Sequence, residues 1–148
     1  MNVKFGSPTN RMRLYQNETY QVIGAAMTIY NHLGPGFLEV IYHDAMEIEL
    51  TELEIPYESR KPLSVYYRGR RLAHDYIADI ICHERILLEL KAVKDIHEAH
   101  IAQTMNYLKA TELALGYVIN FGNQLKLQWK RVLISDNMTE EELSCFEE

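Results

Sequence analysis

Cysteine is nearly absent from this chain. The two residues, Cys82 and Cys145, are far apart and form no C-x-x-C pair. That excludes a disulfide scaffold, a zinc ribbon and an iron–sulfur cluster, and it fits a reducing compartment, with the cytoplasm as the expected location. No apolar run approaches the roughly 18 residues of a membrane span, so no membrane partner is expected. The first residues, MNVKFGSPTNRMRL, lack an apolar h-region, and no secretory signal is expected there. Repeats and low-complexity runs are missing. There is no G-x-x-x-x-G-K-S/T loop for a nucleotide. His97-Glu98-Ala99-His100 fails as a zinc helix because H-E-x-x-H requires a second His where Ile101 stands.

Basic residues are missing from one end. Residues 135–148 hold Asp136, Glu140, Glu141, Glu142, Glu147 and Glu148 and no Lys or Arg. These account for the whole net charge of −6, and the remaining 15 acids face 15 Lys and Arg. The body is neutral, so the overall sign does not exclude a polyanionic partner. Arg60, Lys61, Arg68, Arg70 and Arg71 are close together within it, either as a phosphate-binding cluster or as ordinary edge-strand protection. At 148 residues and 47% hydrophobic, the chain suits one globular domain with its own core. The expected division is an N-terminal segment 1–14, flexible, a domain 15–134, and an acidic tail 135–148 with a short helix. Thr139 and Glu142 form a capping-box pattern for that helix.

Apolar residues from Asn17 to Leu33 recur at three and four, which predicts a helix capped by Asn17 and ended by Gly34-Pro35. A second helix is predicted from Phe37 to Leu53, with Leu38, Ile41, Tyr42, Ala45, Ile48 and Leu53 near one face. Strands are predicted over 57–67, 72–82 and 86–91, with Pro62 confining the first to an edge or bulge. A helix over 95–111 and strands over 115–121 and 125–133 complete the order. The fold class is therefore α/β. A three-stranded antiparallel meander is followed by a helical crossover that delivers a parallel strand, and helices flank the mixed sheet.

The strongest chemical signal is Asp79 followed by Glu89-Leu90-Lys91. Alternation places Glu89 and Lys91 on one strand face, and a tight turn brings Asp79 beside them. Two carboxylates in apolar surroundings repel unless a positive group joins them. Lys91 could do so as a buried salt bridge. A divalent cation with hard oxygen ligands, Mg²⁺ or Mn²⁺, does it better and can activate water against a phosphate. His100, Gln103, Thr104 and Tyr107 then form a polar stripe on the next helix, read either as a solvated face or as a wall of the same site. Trp129 and the ten tyrosines could stack bases, though most read as core or sheet-face residues. Earlier, GPGFLEVIY places an acid, Glu39, between Leu38 and Val40 on an otherwise apolar helix.

These features together resemble the GxxExxY proteins, a branch of the PD-(D/E)XK nuclease superfamily. The name motif matches as Gly36, Glu39 and Tyr42. LGPG, KPLSVYYRGRRL, ADIIC, ILLELKAV, HIAQTMNYLKAT and LGYVINFG extend the likeness over about residues 17–133. The resemblance implies a restriction-endonuclease-like core. It implies Asp79 and Glu89 as metal-binding acids, Lys91 as the catalytic lysine, and Glu39 as an extra acid near the metal. Gln103 and Tyr107 match a Q-x-x-x-Y helix that shapes the site or the DNA path. Tyr30 departs from the family, which often has His there, and the four cysteines of the iron–sulfur branch are absent.

The expected function is Mg²⁺- or Mn²⁺-dependent hydrolysis of phosphodiester bonds in DNA rather than RNA. Asp79, Glu89, Lys91 and Glu39 are the catalytic set, with Asp79, Glu89 and Glu39 as metal ligands. Tyr42 packs beside Glu39, His100 lies near the site, and Arg68, Arg70 and Arg71 approach the substrate. The alternative is a catalytically silent module that binds nucleic acid or protein. Two further readings are a homodimer whose two sites cut two strands and an acidic tail that covers the basic hairpin.

Overall fold

The computed structural model describes residues 15–144. Helices α1 (Gln16–Leu33) and α2 (Glu39–Glu52) precede strands β1 (Tyr57–Leu63), β2 (Tyr66–Tyr67), β3 (Arg70–Arg71), β4 (Tyr76–Cys82) and β5 (Ile86–Lys91). Helix α3 (Glu98–Thr111), strands β6 (Leu115–Asn120) and β7 (Gln128–Leu133), a 3₁₀ turn (Ser135–Asn137) and α4 (Glu140–Ser144) follow. The main sheet runs β1-β4-β5-β6-β7, and β2-β3 form a separate ribbon. Strands β1, β4 and β5 are the antiparallel meander, α3 is the crossover, and β6 lies parallel to β5.

Strand β5 and strand β6 are central and covered on both faces, which is why ILLELK and LGYVIN read as near-continuous apolar runs. On one face α1 and α2 bring Val22, Ala26, Ile29, Tyr42, Met46 and Leu50 against Ile80, Leu88, Leu90 and Tyr117. On the other, α3 covers Leu87 and Ile81 with Leu108, Ile101 and Met105. Alternation therefore turns Leu88 and Leu90 to the first layer and Leu87, Glu89 and Lys91 to the α3 side.

Several predicted details shift. Helix α1 begins at Gln16 after a left-handed Tyr15, so Asn17 lies in its first turn and does not cap it. Helix α2 buries Tyr42, Met46 and Leu50, an i, i+4, i+8 row, with His43 beside it. Leu38, Ile41, Ile48 and Leu53 are off that row and are exposed. The strand predicted over 57–67 breaks after Leu63, and Tyr66–Tyr67 pair with Arg70–Arg71 instead of joining the sheet. Pro62 is on the edge strand, as its missing N–H requires. Residues 72–75 are not strand. Strand β7 starts at Gln128 because Asn123 Oδ1 accepts the N–H groups of Leu125 and Lys126 and curls the chain there. The capping box forms: Thr139 N–H donates to Glu142 Oε1, and Glu142 N–H to Thr139 Oγ1. Ile134 and Met138 are buried, which ties this segment to the body. The expected flexible segment 1–14 and the tail acids Glu147 and Glu148 are outside the described residues.

The loop after Lys91 is held from β6. Asn120, fully buried, accepts from the N–H of Val93 and of Gly122 and donates to Val93 O and Gln128 Oε1. Gly122 packs so closely that a Cβ there would be 2.3 Å from Val93 O. The obstacle is backbone, which cannot rotate away. Gly122→Ala is expected to lower stability in urea unfolding by about 2–3 kcal/mol, as overpacking does. An unchanged midpoint would show that this loop gives way freely.

Candidate active site at a fork in the sheet

The site begins with a break in pairing. Ile80 pairs with Leu88, but the β4–β5 ladder stops there, one step short of Asp79 and Glu89. Strand β4 stays with β1 out to Tyr76, and β5 stays with β6 out to Lys91. The two strands diverge as a fork. On the other side of Asp79, Arg60 adopts a left-handed conformation (φ 53°) and drops out of the β1 ladder. Such a conformation is costly for a non-glycine residue and persists only where the surrounding structure over-determines it. Asp79 is thus released from pairing on both sides.

Other groups take up its valences. Asp79 Oδ2 accepts the N–H of Leu90 at 2.8 Å, in place of a ladder bond. Its carbonyl oxygen is 3.1 Å from His43 Nε2, which also meets Ser59 Oγ at 3.1 Å. Glu89, 4% exposed, accepts a short hydrogen bond from the Tyr76 hydroxyl. The Tyr76 ring stacks on Tyr107 of α3 with centroids 3.4 Å apart. Lys91 Nζ reaches Gln103 Oε1 at 3.4 Å.

A cleft of about 500 Å³ opens at the fork, lined by Glu39, Asp79, Glu89, Lys91, Gln103 and Tyr107 together with Tyr76, Ile77, His74, Asp75, Val65 and Leu72. Besides Asp75, which is paired with Arg71, three acids from three elements face one lysine. Burial and then the neighbouring Asp79 push the Glu89 carboxyl up to about 8, against the pull of Tyr76 and Lys91. Burial and Asp79 also raise Glu39, with Lys91 opposing. Tyr76 and Tyr107 are both held above the ordinary phenol range by burial and by Glu89.

Other residues named from the sequence fall elsewhere. Tyr42 is fully buried and does not line the cleft. Its hydroxyl donates to Gly34 O at 2.6 Å and accepts from Phe37 N–H at 3.2 Å, while its ring stacks on Phe121. It pins the loop in which Gly34 and Gly36 take positive φ, and so sets where α2 starts. Glu39 is the first residue of that helix, where a carboxylate also complements the helix dipole. His100 caps α3: its Nδ1 accepts from His97 N–H at 3.1 Å. Thr104, from the same stripe, is buried and bonds His100 O. Arg68, Arg70 and Arg71 are on the exposed ribbon, whose base residues Val65 and Leu72 reach the cleft. Arg71 is paired with Asp75 on the rim at 3.3 Å.

Sequence reasoning missed Tyr76, His43 and Asn120. Tyr76 opens the strand of Asp79, His43 lies one turn after Glu39, and Asn120 ends an apolar strand. Asn120, a polar group inside an apolar run, is the one of the three that the sequence pattern marked.

A mixed sheet that forks to expose an Asp beside an E-x-K strand, with a further acid from the first helical layer, defines a nuclease-like domain of the restriction-endonuclease-like fold. The chain belongs to the PD-(D/E)XK nuclease superfamily, whose family model matches residues 16–132. Among solved structures it is similar to one titled "Crystal structure of SSO0001", with 16% identity, a TM-score of 0.52 and coverage of 93% of this chain and 69% of that one. At that identity the likeness concerns the fold. No curated protein matches the chain. No helix among the described residues is long and apolar enough to cross a membrane.

Proposed function

We propose that this protein, a member of the GxxExxY branch, hydrolyses phosphodiester bonds of DNA with Mg²⁺ or Mn²⁺. The observation that carries this reading is the gathering of Glu39, Asp79, Glu89 and Lys91 around one open cleft. The donor set fits the ion. Three carboxylates offer hard oxygen ligands, and one lysine leaves their charge under-compensated. Burial first, and then the negative charge of Asp79, push the Glu89 and Glu39 carboxyls up, and a cation among them would offset both.

Asp79, Glu89 and Glu39 would hold the cation, which supplies Lewis acidity toward a phosphate oxygen and lowers the pKa of water. The chain's own residues do the rest. Leu90 N–H and His43 hold Asp79 at the fork from opposite ends. Tyr76 fixes the Glu89 carboxylate. Lys91, tethered by Gln103, orients the attacking water and offsets charge on the phosphate. Water attacks phosphorus in line and gives up a proton to solvent, while the bond to the leaving sugar oxygen breaks and that oxygen takes up a proton from solvent. The stacked Tyr76–Tyr107 pair forms a wall, and Arg68 and Arg70 on the exposed ribbon reach the flanking phosphates.

Incubation of single- and double-stranded DNA with Mg²⁺ or Mn²⁺ tests this. Cleavage is expected with either ion, lost with EDTA, and reduced about 10²- to 10³-fold in Lys91→Ala. Cleavage that survives EDTA and Lys91→Ala would overturn the proposal. Metal and DNA binding with no cleavage by the intact chain would favour the silent module.

A further inference from the structure

Metal-ligating atoms gather on α2 beside the main cleft, where His43 also lines a smaller hollow of about 280 Å³ with Glu39 and Asp79. His43, Asp44 and Glu47 each bring one ligand atom within 4.8 Å of the others. Acidic clusters of this kind are common on helices, but His43 is unusual. It is 95% buried, judged by its 5% exposure, and its Nδ1 has no hydrogen-bond partner.

The other ring nitrogen explains the arrangement. A carbonyl oxygen can only accept, so Nε2, 3.1 Å from Asp79 O, carries the hydrogen. Ser59 Oγ at 3.1 Å shares it. In the neutral ring, Nδ1 is then a bare lone pair, and it faces the carboxylate of Glu47 with 4.0 Å between Nδ1 and Oε1. That separation is too long for a hydrogen bond. Glu47 is half-buried, and the two facing lone pairs need a positive centre between them, either a proton on Nδ1 or a metal ion. Zinc–nitrogen and zinc–oxygen bonds of about 2.0–2.2 Å at a tetrahedral angle would close such a gap after a shift of about half an ångström by the flexible Glu47 side chain. An i, i+4 His–Glu pair stays on one helix face, and rotation of the exposed Asp44 brings in a third ligand. A histidine that donates its far N–H to a backbone carbonyl is the usual support of a metal-ligating ring.

We infer that His43 Nδ1, Glu47 and Asp44 form a separate site for a borderline divalent cation of the Zn²⁺ class, backed by the Asp79 carbonyl. It differs in kind from the all-oxygen cleft, because imidazole nitrogen favours Zn²⁺ over Mg²⁺. The site does not depend on the chain being a nuclease. It does place a cation one hydrogen bond away from the strand residue released at the fork.

The test is a titration of the full chain with Co²⁺, read by its visible absorption, followed by displacement with Zn²⁺. It is run on a background in which Glu39→Gln, Asp79→Asn and Glu89→Gln silence the cleft. One equivalent is expected to bind this background, and Glu47→Gln or Asp44→Asn to weaken it at least about tenfold. The ¹⁵N signal of His43 Nδ1 should shift on Zn²⁺ addition. Both added substitutions are conservative and exposed or half-exposed, so circular dichroism should be unchanged. Binding that is lost in the cleft background but kept in Glu47→Gln would overturn the inference, assigning the ion to the cleft. So would no binding at millimolar Zn²⁺, with both ring nitrogens of His43 protonated in the ¹⁵N spectrum.

Discussion

Asp79→Asn is expected to lower single-turnover DNA cleavage about 10³-fold while the fold stays intact. Asparagine matches aspartate in shape, and its Oδ1 can still accept the Leu90 N–H, so the fork does not close. The main-chain carbonyl held by His43 is untouched. Only the charge disappears, from the acid that two ladders have released into the cleft. Removing one preorganised electrostatic group from an active site typically costs about 10²–10³ in rate, and a lost metal ligand would add weaker cation binding. Calorimetry with Mn²⁺ should show that weakening directly. Near-native cleavage by Asp79→Asn would remove Asp79 from the mechanism.

The second large effect concerns stability without metal. Glu89 ionises near its ordinary 4.5 in the unfolded chain but is pushed up to about 8 when folded, by burial and by Asp79. Below both values the carboxyl is protonated in either state, and the folded protein carries no penalty. As pH rises between them, the unfolded chain releases its proton while the folded chain keeps it. Stability must therefore fall with rising pH through this window, at about 1.4 kcal/mol per unit at most. Coupling to Asp79 and Lys91 spreads the change, so the expected loss is about 2–4 kcal/mol between pH 5 and pH 8 in EDTA. Glu89→Gln keeps an acceptor for Tyr76 and has no proton to lose. Its urea unfolding curve should stay flat relative to wild type across that range, and at pH 8 the variant should be the more stable protein. Added Mn²⁺ should restore the wild type at pH 8, since a ligand bound only by the folded state stabilises it. Parallel pH profiles for both proteins in EDTA would show that Glu89 is not strained by its surroundings.

The sequence was most legible where burial is simplest. Strand β5 was read to its end residues because a strand covered on both faces is an unbroken apolar run, and ILLELK interrupts it only with the acid and the lysine. The helical crossover and the parallel β6 followed from element order and handed connections alone. The capping box of the terminal helix was equally local. Helix α2 was read less well. Its apolar residues outnumber its buried ones, and only packing selects the Tyr42, Met46, Leu50 row and leaves Leu38 and Ile48 to solvent. The strand over 57–67 was read as continuous, because nothing local shows that Tyr66 and Tyr67 find partners within their own hairpin.

By itself the sequence determined the inventory: an α/β order, an Asp, an E-x-K strand, and an acid placed at the start of a helix by a Gly-Pro-Gly loop. These depend on periodicity and turn chemistry, which act over a few residues. The tertiary structure decided which of these groups meet. The cleft exists because the β4–β5 ladder stops at Ile80 and Arg60 turns left-handed opposite Asp79. Tyr42 went to the core and His43 to the Asp79 carbonyl. Such choices rest on register and packing between segments tens of residues apart, where each backbone valence left by one strand must be met by another element.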